Sequence, residues 1–279
     1  MNFTSLCQVL QAELKAAGII NYSQESLWIL QEVVGDNYLW HTYAEEEVKK
    51  VGKILKLRKK WPLALIIGHT MFFNCKIFVH QHLLLPRFDS ECVAYEAAKL
   101  ADSFLKPKIA DMFCGTGCLG VSVFKNSLSR VDNVSFYDIS SKALEMSLKN
   151  AHYNGVACST HKVNLLSDNW QFDAKFAVVI ANPPYIKTKE VKELKLTDPD
   201  LALDGGEDGL IFYHKIGQNA KNYLQENGFL VVEFGHDQKK AVCNIMSQNG
   251  LKLHSEIQDV EKRDRGCVYV LGSFNTDTE

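Results

Sequence analysis

The chain has 279 residues, enough for one or two domains with a true hydrophobic core, at about 150 residues per domain. Its 31 Lys and Arg against 33 Asp and Glu leave a net charge of −2, which excludes coating of DNA or an anionic membrane through bulk charge. With 46% hydrophobic and 23% charged residues the composition is globular, and no uncharged apolar run approaches the ~18 residues of a membrane span.

Residues 1–18 carry Glu13 and lack both a basic leader and a clean apolar stretch, so they read as neither a signal nor a transit peptide. Leu6, Val9, Leu10 and Leu14 recur at helical spacing, as do Leu27, Leu30, Val33 and Val34, with Ile29 off that stripe. Ser23, followed by Ser26, is a candidate helix start. Residues 45–60 form a third helix candidate, opened by Glu45, Glu46 and Glu47 and closed by Arg58, Lys59 and Lys60, the order that suits the helix dipole. Val48, Val51 and Leu55 give it one apolar edge, and its basic residues read as a solvated face. Pro62 ends it, because proline disfavours helix in the residue before it.

Residues 63–85 read as a strand-rich connector, with Asn74-Cys75-Lys76 as a hairpin loop between Phe72-Phe73 and Ile77-Phe78-Val79. From Glu91 the pattern alternates. Strand-like runs at 108–113, 134–137, 176–181 and 229–234 are interleaved with helical stretches at 119–125, 140–153, 209–225 and 238–248. Strands alternating with helices predict a parallel α/β sheet. The eight cysteines are scattered, with no CxxC pair. They read as reduced thiols of a cytoplasmic protein, and no metal site is expected.

Two motifs carry chemistry. Gly115, Gly117 and Gly120 in Asp111-Met112-Phe113-Cys114-Gly115-Thr116-Gly117-Cys118-Leu119-Gly120 satisfy G-x-G-x-x-G between a strand and a helix. Asp138 ends the next strand, 21 residues beyond Gly117. That is the offset of a carboxylate that accepts from both ribose hydroxyls, at about 20 residues. This loop alone leaves a nicotinamide dinucleotide and S-adenosylmethionine both open. The second motif is Asn182-Pro183-Pro184-Tyr185, directly after an apolar strand. Prolines lack a backbone donor and keep the carbonyl acceptor. The Asn182 side-chain oxygen and the Pro183 carbonyl can therefore take the two N–H groups of a planar NH₂ acceptor, aiming its nitrogen at a methyl donor. Their dipoles favour positive charge on that nitrogen, and Tyr185 offers an aromatic wall. A nicotinamide oxidoreductase leaves this motif without a role, and a non-catalytic binding module needs Asp138 but not Asn182.

Together these residues resemble the HemK family of release factor glutamine methyltransferases. The resemblance covers most of the chain. It includes Pro86-Arg87-Phe88-Asp89-Ser90-Glu91, the glycine loop, Asp138, Asn182 to Tyr185, the acidic, glycine-rich stretch 202–209 and Glu233-Phe234-Gly235. Asn-Pro-Pro-Tyr alone is shared with adenine-specific DNA methyltransferases; the Pro-Arg-x-Asp-Ser-Glu segment discriminates better. The resemblance implies a Rossmann-like, seven-stranded class I methyltransferase domain at 91–279. Before it would come a helical substrate-docking domain at 1–66 and a β-hairpin connector at 67–90. It implies S-adenosylmethionine as cofactor and, as acceptor, the glutamine of the Gly-Gly-Gln motif of peptide chain release factors, hence protein methylation in translation termination. By position, Phe113, Cys114, Gly115, Thr116 and Gly117 would line the methionine part of the cofactor. Asp138 would hold the ribose, and Asn164 and Leu165 would border the adenine. Asn182 would touch cofactor and substrate, and Pro183, Pro184 and Tyr185 would hold the glutamine. The chain departs from the family at Phe88, where proline is usual, at Phe113, where the first loop glycine stands, at Asn164, where aspartate is common, and at Leu165, where some relatives carry an aromatic residue. A monomer without a stable nucleic-acid or membrane partner is expected. The alternatives are a nucleic-acid adenine methyltransferase, against which the balanced charge speaks, and a glutamine methyltransferase acting on a ribosomal protein.

Overall fold

A computed structural model describes residues 1–167, 170–172, 174–194 and 198–271. The chain divides into two compact units, Met1–His69 and Thr70–Glu279.

The first unit is helical. Helix α1 (Phe3–Ala16) is capped by the Asn2 side chain, which accepts from Ser5 N–H at 2.9 Å. Helices α2 (Tyr22–Val34), α3 (Glu45–Arg58) and the short α4 (Leu63–Ile67) follow. In α3, Glu47 reaches back to accept from Ala44 N–H at 2.8 Å, so the acidic first turn also satisfies an orphan donor. Leu6, Leu10, Leu14, Ile29, Leu30, Tyr43 and Val51 form the core. Two stripe assignments are corrected. Val9 is exposed, and Cys7 takes its place on the buried face. Ile29 is fully buried while Leu27 is only half-buried. Ser23 lies inside α2 rather than capping it, and α2 follows Asn21 without a side-chain cap bond. The run 63–67 is helical rather than strand-like.

A hairpin, β1 (His69–Phe72) and β2 (Cys75–Phe78), begins at the last residue of the first unit and opens the second. Its turn is Phe73-Asn74, both at positive φ, 39° and 64°, the signature of a two-residue turn that matches strand twist. Cys75 and Lys76 therefore belong to the strand, one step beyond the expected loop. The remaining elements are α5 (Glu91–Ala101), β3 (Lys108–Met112), α6 (Cys118–Asn126), β4 (Asn133–Asp138), α7 (Ser141–Tyr153), β5 (Cys158–Lys162), β6 (Phe176–Ala181), α8 (Thr188–Glu193), α9 (Ile211–Tyr223), β7 (Leu224–Glu233), α10 (Lys239–Gln248), β8 (Leu251–Gln258) and β9 (Asp264–Leu271).

Among the described residues the main sheet has seven strands in the order β5-β4-β3-β6-β7-β9-β8. The first five are mutually parallel, and β9 pairs antiparallel with both β7 and β8. All six residues of β6 are buried, as a strand covered on both faces requires. Alternate residues feed opposite faces. Ile109, Val178 and Val231 pack toward α5 and α6, whereas Ala110, Val179, Leu230 and Val232 pack toward α9 and α10. From β3 the chain runs outward through β4 to β5, then returns to β6 on the other side of β3. That reversal is the switch point where open α/β sheets bind ligands, outside the strands' carboxyl ends. Met112 pairs with Ala181 across it, so the loops after β3 and β6 leave the sheet side by side.

Candidate active site

A cavity of about 180 Å³ opens over those two loops, room for roughly a dozen waters at about one per 10–15 Å³. The loop after β3 contributes Phe113, Cys114, Gly115 and Thr116 to its wall. Gly117 lies outside the wall. It starts α6 at φ 74°, and a Cβ there would come within 2.7 Å of Ser147. Gly120 likewise serves close packing, since a Cβ would meet Phe136 and Val134 at 2.8 Å. Phe113 holds φ 58° with a full side chain, and its ring meets Phe212 edge-on at 5.1 Å; both line the cavity.

Asp138, at the end of β4, also lines the cavity. Its Oδ2 accepts from Gly115 N–H at 3.0 Å and its Oδ1 from Ser140 N–H at 2.8 Å. The carboxylate thus ties the glycine loop to the start of α7 and keeps lone pairs for a ligand. Burial raises its pKa, and the backbone donors of Ser140 and Gly115 oppose that rise. Asn164, Leu165 and Leu166 form the next part of the wall. The Asn164 side-chain Oδ1 accepts from Leu166 N–H at 3.0 Å, which fixes the side-chain amide's orientation.

From β6 come Asn182 and Pro184; Pro183 and Tyr185 lie outside the wall. Pro183 is buried, and Tyr185 packs against the aromatic core, its hydroxyl pushed up to about 12 by burial. The stretch 202–209 backs this loop. Gly205 N–H donates to the Ile186 carbonyl at 2.7 Å. A Cβ on Gly205 would lie 2.7 Å from Tyr185 Cα, and one on Gly209 2.5 Å from the Tyr185 carbonyl. Gln238 Nε2 donates to that same carbonyl at 3.0 Å.

The lining also includes His82 to Arg87, Ser90, Pro199, Leu201 and Ala202. Each charged or hydroxyl residue of the segment 87–91 is tied to a different element. Arg87 Nη2 donates to Asp198 Oδ2 and Arg265 Nη2 to Asp89 Oδ2, each at 2.5 Å. Ser90 Oγ donates to Glu233 Oε1 at 2.9 Å, and Glu91 accepts from Phe73 N–H at 2.9 Å. The departure at Phe88 falls on a side chain 60% exposed, outside the cavity wall.

Residue spacing gave no warning of two further buried carboxylates, Asp111 and Glu233. Asp111 is 1% exposed; its Oδ2 accepts from Gly120 N–H at 2.8 Å, and burial pushes its pKa up to about 8. Glu233, ending β7, is 3% exposed and is pushed up to about 7 by burial, while Ser90, Arg265 and Asn182 pull it down. Burial also keeps Cys118 a thiol, with its pKa near 12, so it is no nucleophile.

A parallel-centred sheet with helices on both faces, an antiparallel β9 between β7 and β8, and a cavity at the switch point define a class I S-adenosylmethionine-dependent methyltransferase fold. Solved structures agree at the level of fold. A ribosomal protein L11 methylase from Lactobacillus delbrueckii matches with TM-score 0.50 and 19% identity over 68% of this chain and 82% of that one. A methyltransferase from Pyrococcus furiosus matches with TM-score 0.52 and 15% identity over 72% and 90%. The family model for the methyltransferase small domain matches residues 89–199. Among curated relatives, a release factor glutamine methyltransferase from Thermodesulfovibrio yellowstonii is 35% identical over 80% of this chain and 81% of its own length. One from Agrobacterium fabrum is 30% identical over 92% and 93%. The chain belongs to this family, the release factor glutamine methyltransferases, and is a methyltransferase. Among the described residues no helix is long and apolar enough to cross a membrane.

Proposed function

We propose that the cavity holds S-adenosylmethionine and that the protein methylates the side-chain amide nitrogen of the glutamine in the Gly-Gly-Gln motif of peptide chain release factors. The observation that carries this reading is that Asn182 and Asp138 line one cavity, so a cofactor side and an acceptor side meet. The residues fit that cofactor. Asp138 is an acceptor-only group for ribose hydroxyls, and Ile139, Leu165 and Leu166 give apolar surface for a flat base. Bound there, S-adenosylmethionine supplies an electrophilic methyl group on a sulfonium sulfur. The residues around it orient the acceptor. Asn182 Oδ1 takes one amide N–H, aiming the nitrogen and favouring the positive charge it gains; the Pro183 carbonyl would take the other only where the substrate reaches past the present cavity wall. The N–C bond forms as the S–C bond breaks, and the nitrogen afterwards loses one proton to water. No side-chain base is required before attack.

Residues 1–66 serve in this reading as the docking domain for the release factor and 67–90 as a connector, since every cavity residue lies at His82 or beyond. The test is mass spectrometry of a release factor incubated with the protein and S-adenosylmethionine, read as one added methyl on that glutamine. Asn182→Ala should fold and keep most cofactor affinity, but lose on the order of 10²-fold in rate, the cost of one oriented polar contact at a reacting atom. Near-normal turnover by this variant, or methyl transfer to DNA or RNA in place of the release factor, would overturn the reading.

A further inference from the structure

Asn182 directly follows β6, and Glu233 ends the neighbouring parallel strand β7. Ala181 pairs in register with Val232, so Asn182, the first residue after β6, and Glu233, the last residue of β7, stand side by side on chains about 4.8 Å apart. Glu233 is held in place from two sides. Its Oε1 accepts from Ser90 Oγ at 2.9 Å, and its backbone carbonyl accepts from the Tyr213 hydroxyl at 3.0 Å. Its Oε2 is buried and has no completed hydrogen bond. The Asn182 amide is near enough to pull the carboxyl's pKa down but does not satisfy that oxygen. A buried, unpartnered carboxylate oxygen is costly, and it sits beside the residue whose orientation matters most.

An asparagine amide has two faces of opposite character. With Oδ1 toward the acceptor it receives an N–H; turned over, it sets NH₂ against NH₂. The cavity wall alone does not distinguish the two. A carboxylate on the far side does, because when ionised it can only accept. We propose that Glu233 is a positioning residue that holds the Asn182 Nδ2–H with its Oε2 and thereby presents Oδ1 to the substrate amide. Ser90 in turn holds Glu233, which gives the entry segment a part in catalysis without touching substrate. The proposal rests on the reading of Asn182 given above and adds what aims it.

The test combines activity with a readout that needs no cofactor. Glu233→Leu keeps volume and removes both acceptors; it should lower kcat on a release factor on the order of 10²-fold, with KM and cofactor affinity unchanged. Glu233→Gln, which keeps one carbonyl, should recover part of that loss. In an Asn182→Ala background Glu233→Leu should cost nothing further, and an undiminished loss there would overturn the proposal. Independently, the Asn182 side-chain NH₂ resonances of the cofactor-free protein should shift as pH rises through about 7 in the wild type and stay fixed in Glu233→Gln. The other ionisable groups facing Glu233 are Asp89, Arg265, Cys92, Cys118, Tyr185 and Tyr213. Cys92 is near 11 and Cys118 and Tyr185 near 12, outside that window. Resonances that do not move would overturn the proposal even where Glu233→Leu fails to fold. A wild type inactive on release factors would instead defeat the functional reading and leave this measurement standing.

Discussion

Replacing Asp138 with alanine separates cofactor binding from the rest of the site. The carboxylate accepts from Gly115 N–H at 3.0 Å and Ser140 N–H at 2.8 Å, and in the proposed complex it also accepts from the ribose. A hydrogen bond to a charged group contributes about 1.5–3 kcal/mol. At about 1.4 kcal/mol per decade, losing the ribose contact alone should weaken binding of S-adenosylmethionine or its demethylated product roughly 10- to 100-fold. Asp138→Asn should not rescue it. Both carboxylate oxygens face backbone N–H donors, so either orientation of the amide sets NH₂ against N–H. The pH dependence has a definite sign. Burial raises the Asp138 pKa above the ordinary carboxylate value, and a proton on either oxygen removes an acceptor. Wild-type affinity should therefore fall as pH is lowered through that raised value, while the affinity of Asp138→Ala stays flat. Calorimetric titration between pH 8 and pH 5 measures both. Unchanged affinity in Asp138→Ala at pH 8 would refute the reasoning.

Phe113 holds φ 58°, a conformation that costs a residue with a Cβ about 1 kcal/mol or more. Phe113→Gly should therefore be more stable than Phe113→Ala by about 1 kcal/mol, the reverse of the usual order; urea unfolding that ranks alanine equal or higher would deny the strain. A chain beginning at Thr70 retains the sheet, its two flanking clusters and every cavity residue. It should keep cofactor affinity and lose turnover on an intact release factor, and full turnover would remove the docking role assigned to residues 1–66.

How much of this was legible beforehand follows from what each segment buries. The run Phe176–Ala181 announces itself because a strand covered on both faces is continuously apolar. The sequence Cys158–Lys162, by contrast, has no period to read, since as an edge strand it leaves its residues half-exposed. β8 is also at an edge, with Leu253 48% exposed. Residue pattern alone thus shows four strands, and the full seven follow only from the family resemblance. The five apolar residues 63–67 fit helix or strand equally, a known ambiguity of short runs. Ile29 and Val9 were misplaced because a stripe read from four residues can be rotated by one position, and only packing chooses the rotation. At the site, local motifs were readable: a glycine loop, a strand-end aspartate, Asn-Pro-Pro-Tyr. Glu233 was visible only as part of a family stretch. Its environment is made by Ser90, 143 residues away in the chain, and no local signal carries that distance.

The separation between readable and unreadable parts has a thermodynamic side. Asp111, Asp138 and Glu233 stand at or near the carboxyl ends of β3, β4 and β7, and burial raises the pKa of all three. For an acid raised on folding, the folded state favours the protonated form. Its stabilising effect is full at pH below the unfolded value and is lost as pH rises to the folded one. For Glu233 that window runs from 4.5 to about 7, and for Asp111 from 3.8 to about 8. Near neutrality each of these groups therefore works against the fold to the extent that it is ionised. Side chains chosen for stability alone would be apolar or fully paired there, whereas Asp111 Oδ1 and Glu233 Oε2 are both buried without a partner. Asp138 lines the switch-point cavity, Glu233 accepts from Ser90, which also lines it, and Asp111 accepts from Gly120 N–H in α6; buried carboxyls so placed suit a site more than a core. In the proposed complex Asp138 provides acceptors for a ribose. In the proposed arrangement Glu233 provides one for the Asn182 amide. Asp111 provides one for Gly120 N–H, where α6 comes close to Phe136 and Val134.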